Sequence, residues 1–173
     1  SDGPNEKAWS TIAAPTAAYV DRDGTLRFDT LLRDFREFWC QHADAMLARA
    51  PYSEAASQLV FMAFLHKVVN GSGFVDREYA VGSGRVDLCV RWPIKGKSGA
   101  FTRHAMELKV WRDGRPDPRS EGLTQLSSYL CRLGLTEGML IVFDARSDAA
   151  PLPGRCVDET VSHENLRIRI LRL

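Results

Sequence analysis

The chain has 173 residues, 45% of them hydrophobic and 26% charged, which is enough apolar content for a sizeable core and argues against disorder. Its formal net charge of +1 excludes a simple polybasic nucleic-acid binder, but that charge is unevenly spread. From Arg85 to Arg119 nine Lys/Arg face four Asp/Glu, a local excess of +5 that leaves −4 to the rest. Such a basic middle suits either a localised anionic ligand or a solvated charged face.

In chain order, residues 1–28 read as an irregular N-terminal arm, with Pro4, Pro15 and a turn at Asp23-Gly24. From Asp29, a good N-cap, the apolar residues Leu31, Leu32, Phe35, Phe38 and Trp39 fall on one face of a helix that ends near Ala50-Pro51. Ser53 caps a second helix running to about Asn70. Its stretch from Leu59 to Leu65 is apolar nearly all round, which predicts deep burial. After Gly71-Ser72-Gly73 the pattern turns to strands: Val75–Val81, a turn at Gly82-Ser83-Gly84, then Arg85–Trp92 as a hairpin partner. Phe101–Trp111 reads as a central strand. A helix over 119–133 follows, with the core stripe Leu123, Leu126, Leu130 and Leu133. Met139–Phe143 is continuously apolar, as in a strand buried on both faces. Residues 144–164 look like loop, and Asn165–Leu173 alternates as a half-exposed strand. This order predicts an α/β fold, a mixed β-sheet flanked by helices with an N-terminal helical arm: a helical lead-in over 29–51 and a core over 52–173.

Cys40, Cys89, Cys131 and Cys156 are scattered without CxxC pairing, so neither a zinc site nor a disulfide framework is expected, and a reducing cytoplasm fits. No membrane span or signal peptide is read from the sequence, and a start at Ser1 suggests a piece of a longer protein.

Chemistry concentrates in two strands. Asp87 stands in the apolar run Val86–Val90, where a carboxylate is costly unless it is paired, hydrogen-bonded or bound to metal. In Ala105–Val110, Glu107 and Lys109 are two residues apart, so they point to the same face, one pleat apart. If the two strands are neighbours, two carboxylates and an ammonium converge. With the Leu108 carbonyl and water, the carboxylates suit a hard divalent cation such as Mg2+, with Mn2+ as a substitute. Lys109 would then orient a water or neutralise charge on a phosphate. A buried ion-pair cluster is the structural alternative.

Gly84-Arg85-Val86-Asp87 followed by Glu107-Leu108-Lys109 resembles the PD-(D/E)XK nuclease signature, with Val86 where the name implies proline. Gln125-Leu126-Ser127-Ser128-Tyr129 resembles the QxxxY element of the RecB-like branch. Further stretches between residues 19 and 145 are similar to the C-terminal nuclease-like domain of predicted bacterial AAA-type ATPases. The resemblance implies a restriction-endonuclease-like fold and catalytic roles for Asp87, Glu107, Lys109, Gln125 and Tyr129. It further implies a metal shell of Asp87, Glu107, the Leu108 carbonyl and Glu54, the last being the acid this superfamily often carries on its first core helix. An ATPase module would precede Ser1. Within this chain there is no GxxxxGK[ST] loop, so no nucleotide site is expected.

Arg85, Arg91, Arg103, His104, Arg112 and Arg119 are candidates to contact phosphates around the site, with DNA expected ahead of RNA. The histidines show no metal-ligand spacing. Two functions stand side by side: a metal-dependent DNA nuclease, and a non-catalytic nucleic-acid-binding or regulatory module of the same fold.

Overall fold

The computed structural model describes residues 16–48, 53–80 and 85–173. Among the described residues it is an α/β protein with three α-helices, α1 (Phe28–Leu47), α2 (Ser53–Val69) and α3 (Arg119–Leu133). Its strands are β1 (Phe74–Ala80), β2 (Arg85–Pro93), β3 (Phe101–Trp111), β4 (Glu137–Asp144), β5 (Val157–His163) and β6 (Leu166–Arg172). The strands form one mixed sheet in the order β1-β2-β3-β4-β6-β5. β3 and β4 pair in parallel, as do β4 and β6, whereas β5 and β6 are antiparallel. The Ile94–Ala100 connection is far too short for a parallel crossover, so β2 and β3 run antiparallel. Among the described residues no helix is long and apolar enough to cross a membrane.

The chain forms two compact units: residues up to Val75 with Val90–Arg103, and Asp76–Cys89 with His104–Leu173. In the first, Phe35 is the hub of an aromatic core. It meets Phe61 edge-on at 4.8 Å and lies within 6.4 Å of Phe38, Trp39 and Phe64. The helix begins at Phe28 after Arg27, with Asp29 in its first turn instead of at the cap. There, two positions inside the cap, its negative charge complements the positive end of the helix dipole. The described part of the arm is not irregular. Thr16–Tyr19 form a 3-10 helix, Val20 bridges to Leu26, and the buried Tyr19 donates to Asp34 Oδ2 at 2.8 Å. In α2, Phe61, Met62, Phe64 and Leu65 are buried, but Leu59 is 58% exposed, so the all-round apolar run hides only part of its circumference. The ends at Ala50-Pro51 and the Gly82-Ser83-Gly84 turn lie outside the described residues.

The second unit packs α3 onto the sheet. Leu123, Leu126 and Leu130 meet Leu140 and Val142 of β4 and Ile168 and Ile170 of β6, with Leu133 half-buried at the edge. Two glycines let the helix sit close: a Cβ at Gly122 would fall 2.8 Å from Leu140 Cδ1, and one at Gly138 would fall 2.8 Å from Leu130 Cδ1. α3 ends at Gly134, whose φ of 69° is the left-handed cap that closes the last turn. β4 is buried from Met139 to Phe143, as its apolar run predicts.

The stretch read as loop contains β5. Its residues Val157–His163 are largely exposed and polar, so no apolar alternation marks them. The strand is held by its ladder to β6 through a two-residue turn with φ of 50° at Glu164 and 65° at Asn165. That backbone is the hairpin turn favoured by right-handed strand twist.

Candidate active site

The second unit gathers the charged residues of β2, β3 and α3. Asp87, Glu107 and Lys109 are 4%, 0% and 5% exposed, so all three have left water almost completely. The i, i+2 alternation of β3 puts Glu107 and Lys109 on one face, and Arg85 ties that face to β2. Its guanidinium donates to both oxygens of Asp87, from Nε at 3.2 Å and from the terminal nitrogen at 2.9 Å. Arg85 Nε also lies 3.3 Å from Glu107 Oε1. This last contact is an ion contact without hydrogen-bond direction, and both carboxylate oxygens of Glu107 are buried with no hydrogen-bond donor. One cation therefore faces two buried carboxylates and satisfies only one by hydrogen bonding.

The electrostatics follow. Burial pushes the Glu107 carboxyl from 4.5 up to about 8; neighbouring Asp87 adds to the rise, while Arg85 and Lys109 oppose it. Asp87 is raised too, because burial outweighs the Arg85 fork. A carboxyl moved so far by burial and a second carboxyl, beside a buried lysine, makes this cluster a candidate functional site.

Lys109 is held from the helix side. Its ammonium donates to Gln125 Oε1 at 3.1 Å and lies 3.6 Å from Glu121 Oε1, while Gln125 Nε2 donates to the same Glu121 oxygen at 2.9 Å. Glu121 and Gln125 are four apart on α3 and form one ridge, which fixes the lysine from two directions. Glu121 is the site residue that the sequence reading missed. Its position four residues before Gln125 was the signal that could have found it.

Tyr129, which the QxxxY resemblance pairs with Gln125, does not lie beside it at the lysine. It is 3% exposed and belongs to the leucine core beside Cys89 and Ala105. At 100° per residue a position four on from Gln125 has rotated by about 40°, which carries Tyr129 into the apolar stripe. Burial raises its hydroxyl pKa, with Cys89, Glu78 and Asp87 adding to the rise. Arg132 stacks 5.4 Å from its ring and pairs with Glu78 at 3.4 Å.

Of the arginines named from the sequence, Arg85 reaches the centre, where it meets carboxylates instead of facing solvent. Arg119 lies 3.6 Å from Glu159 of β5. Arg112 and His104 are half-buried, on β3 or just after it. Arg91 and Arg103 belong to the first unit. Leu108, between the two charged residues of β3, is fully buried. In a strand with neighbours on both sides its carbonyl keeps only a second lone pair for a metal. Glu54 lies in the first turn of α2, and its side chain is outside the described residues.

The donor set fits a hard divalent cation: two adjacent carboxylates, one of them with two buried oxygens that lack hydrogen bonds. Among the described residues, no group of three or more His, Cys, Asp or Glu is gathered as a metal cluster. Comparison with protein-family models, with curated proteins and with solved structures gave no match for this chain.

Proposed function

We propose that this chain is a metal-dependent nuclease of the PD-(D/E)XK type, with a restriction-endonuclease-like core, hydrolysing phosphodiester bonds of DNA. The observation that carries the reading is Glu107: fully buried, both oxygens without a hydrogen-bond donor, beside Asp87 and one pleat from Lys109. A stability-driven core has little use for such a carboxylate, since apolar replacements of buried ion clusters are often as stable or more so.

Asp87 and Glu107 would hold Mg2+, or Mn2+ in its place. A cation bound there supplies an acidified water and positive charge for the phosphate oxygens. The rest is the work of the chain. Gln125 and Glu121 fix the Lys109 ammonium where it can orient the attacking water and neutralise charge growing on the phosphate. Tyr129 supports the floor of the site from the core. An AAA-type ATPase module preceding Ser1 belongs to this proposal.

One observation favours a second reading, the non-catalytic binding module: Arg85 already neutralises Asp87 in a closed, bidentate pair. Asp87→Ala separates the two. A nuclease loses metal-dependent cleavage by a factor on the order of 10³ or more, while its binding of DNA in EDTA holds or tightens as a negative charge is removed. A binding module shows no cleavage in either form, with the same gain in DNA affinity.

A further inference from the structure

The first unit carries an aromatic and cationic surface that none of the site chemistry uses. Phe74 opens β1 with 51% of its surface exposed, large for a phenyl ring. It meets Phe101, at the start of β3, edge-on: centroids 5.9 Å apart, planes at 75°. Arg91, from β2, lays its guanidinium 4.7 Å from the Phe74 centroid and 5.0 Å from that of Phe101. Two rings and a guanidinium from three neighbouring strands thus form one stacked group on the sheet.

Charge surrounds it. Between Val90 and Arg103 the chain carries Arg91, Lys95, Lys97 and Arg103 and no acidic residue. Lys95, Lys97 and Arg103 are exposed, and Asp23, on the turn beside Lys95, is an acid that faces this loop. Asp76, exposed two residues on from Phe74 in β1, is a second acid there, so the four basic residues outnumber two acids around the exposed π-system.

That combination selects among ligands. A DNA duplex offers phosphates to the lysines, but its base faces are stacked on one another and leave Phe74 without a partner. An unpaired strand offers both. Its phosphates meet Lys95, Lys97 and Arg103, and a splayed base can stack on the phenyl ring or the guanidinium plane, a contact indifferent to sequence. An apolar protein surface would match Phe74 but would have to desolvate the surrounding cations.

We propose that this surface binds single-stranded nucleic acid, with an unpaired base stacked on Phe74 and the backbone held by Lys95, Lys97 and Arg103. The inference deepens the nuclease reading by naming an unpaired strand as the polymer engaged, but the binding itself does not depend on catalysis.

The test is fluorescence anisotropy in EDTA, where cleavage does not enter, with a labelled oligothymidylate of about 20 nucleotides and a blunt duplex of matching charge. The wild-type chain should bind the single strand more tightly than the duplex. Phe74→Ala should weaken single-strand binding about tenfold and leave duplex binding unchanged, while Phe74→Trp keeps or tightens it. Because Phe74 is half exposed, the Ala variant should melt with the wild type, and a coincident thermal transition separates lost stacking from lost folding. Equal single-strand affinity in wild type, Phe74→Ala and Phe74→Trp would overturn the proposal, as would absence of oligothymidylate binding. Asp87→Ala should retain the preference for single strands, so loss of cleavage in that variant and loss of binding in the Phe74 variant report on separate claims.

Discussion

Glu107→Gln should make the metal-free protein more stable than the wild type by roughly 5 kcal/mol above about pH 9. The folded carboxyl titrates near 8 against an ordinary 4.5, so between 4.5 and 8 the folded chain holds a proton that the unfolded chain has lost, and above 8 the buried carboxylate bears the full cost of ionisation. The stability contributed by the neutral acid is complete below 4.5 and is lost as pH rises through 8. Asp87, also raised, adds a slope of the same sign from its own ordinary value upward. Glutamine keeps the neutral shape and cannot ionise, so its profile should flatten across the window, leaving the smaller slope from Asp87. Urea denaturation of both proteins in EDTA, from about pH 5 to pH 9, reads the difference directly. A wild-type profile as flat as the variant's would mean that Glu107 is ionised and well solvated, and the buried-site geometry would be wrong.

Arg85→Ala carries the second large effect. The guanidinium lies against both Asp87 and Glu107, and its own side chain is 19% exposed. Its removal leaves two buried carboxyls facing each other. At neutral pH the metal-free variant should lose roughly 3–5 kcal/mol, the usual result of stripping one partner from a buried pair. The loss should shrink at acid pH, where both carboxyls take up protons. Millimolar Mg2+ or Mn2+ should restore much of it, because a ligand bound only to the folded state stabilises by about 3 kcal/mol at a hundredfold excess over its Kd. The same cations should raise the melting temperature of the variant more than that of the wild type, in which Arg85 competes for the carboxylates. Thermal melts with and without the cations decide this. A variant as stable as the wild type, or one that ignores divalent cations, would remove Arg85 from its place as their internal substitute.

The sequence made legible what alternation and capping control. The bounds of β3 and α3 follow from an eleven-residue strand pattern and a leucine stripe closed by Gly134, and the structure reproduces both. The parity of Glu107 and Lys109 came from strand geometry alone, and with it half of the site. What stayed hidden depends on partners distant in sequence. β5 has no apolar face because it is an exposed strand stabilised by backbone pairing to β6, and a Glu-Asn turn gives a weaker hairpin signal than Asn-Gly. Tyr129 is named through its resemblance to the QxxxY element, and the rotation of α3 places its ring in the core. Glu121 is an ordinary acid of a first helical turn until β3 brings Lys109 beside it. The exposure of Phe74 is likewise hidden, because the strand read from the sequence begins at Val75 and the observed β1 begins one residue earlier.

The central claim, that Asp87, Glu107 and Lys109 form a hydrolytic site, is tested most directly by incubating supercoiled and linear DNA with the wild-type chain and with Lys109→Ala, in Mg2+ or Mn2+ and in EDTA. The expected result is metal-dependent cutting by the wild type, abolished by EDTA and lost in Lys109→Ala, with products from the closed circle marking an endonuclease. A wild-type chain that neither binds the cation nor cuts either DNA, or a Lys109→Ala variant that cuts as well as the wild type, would contradict it.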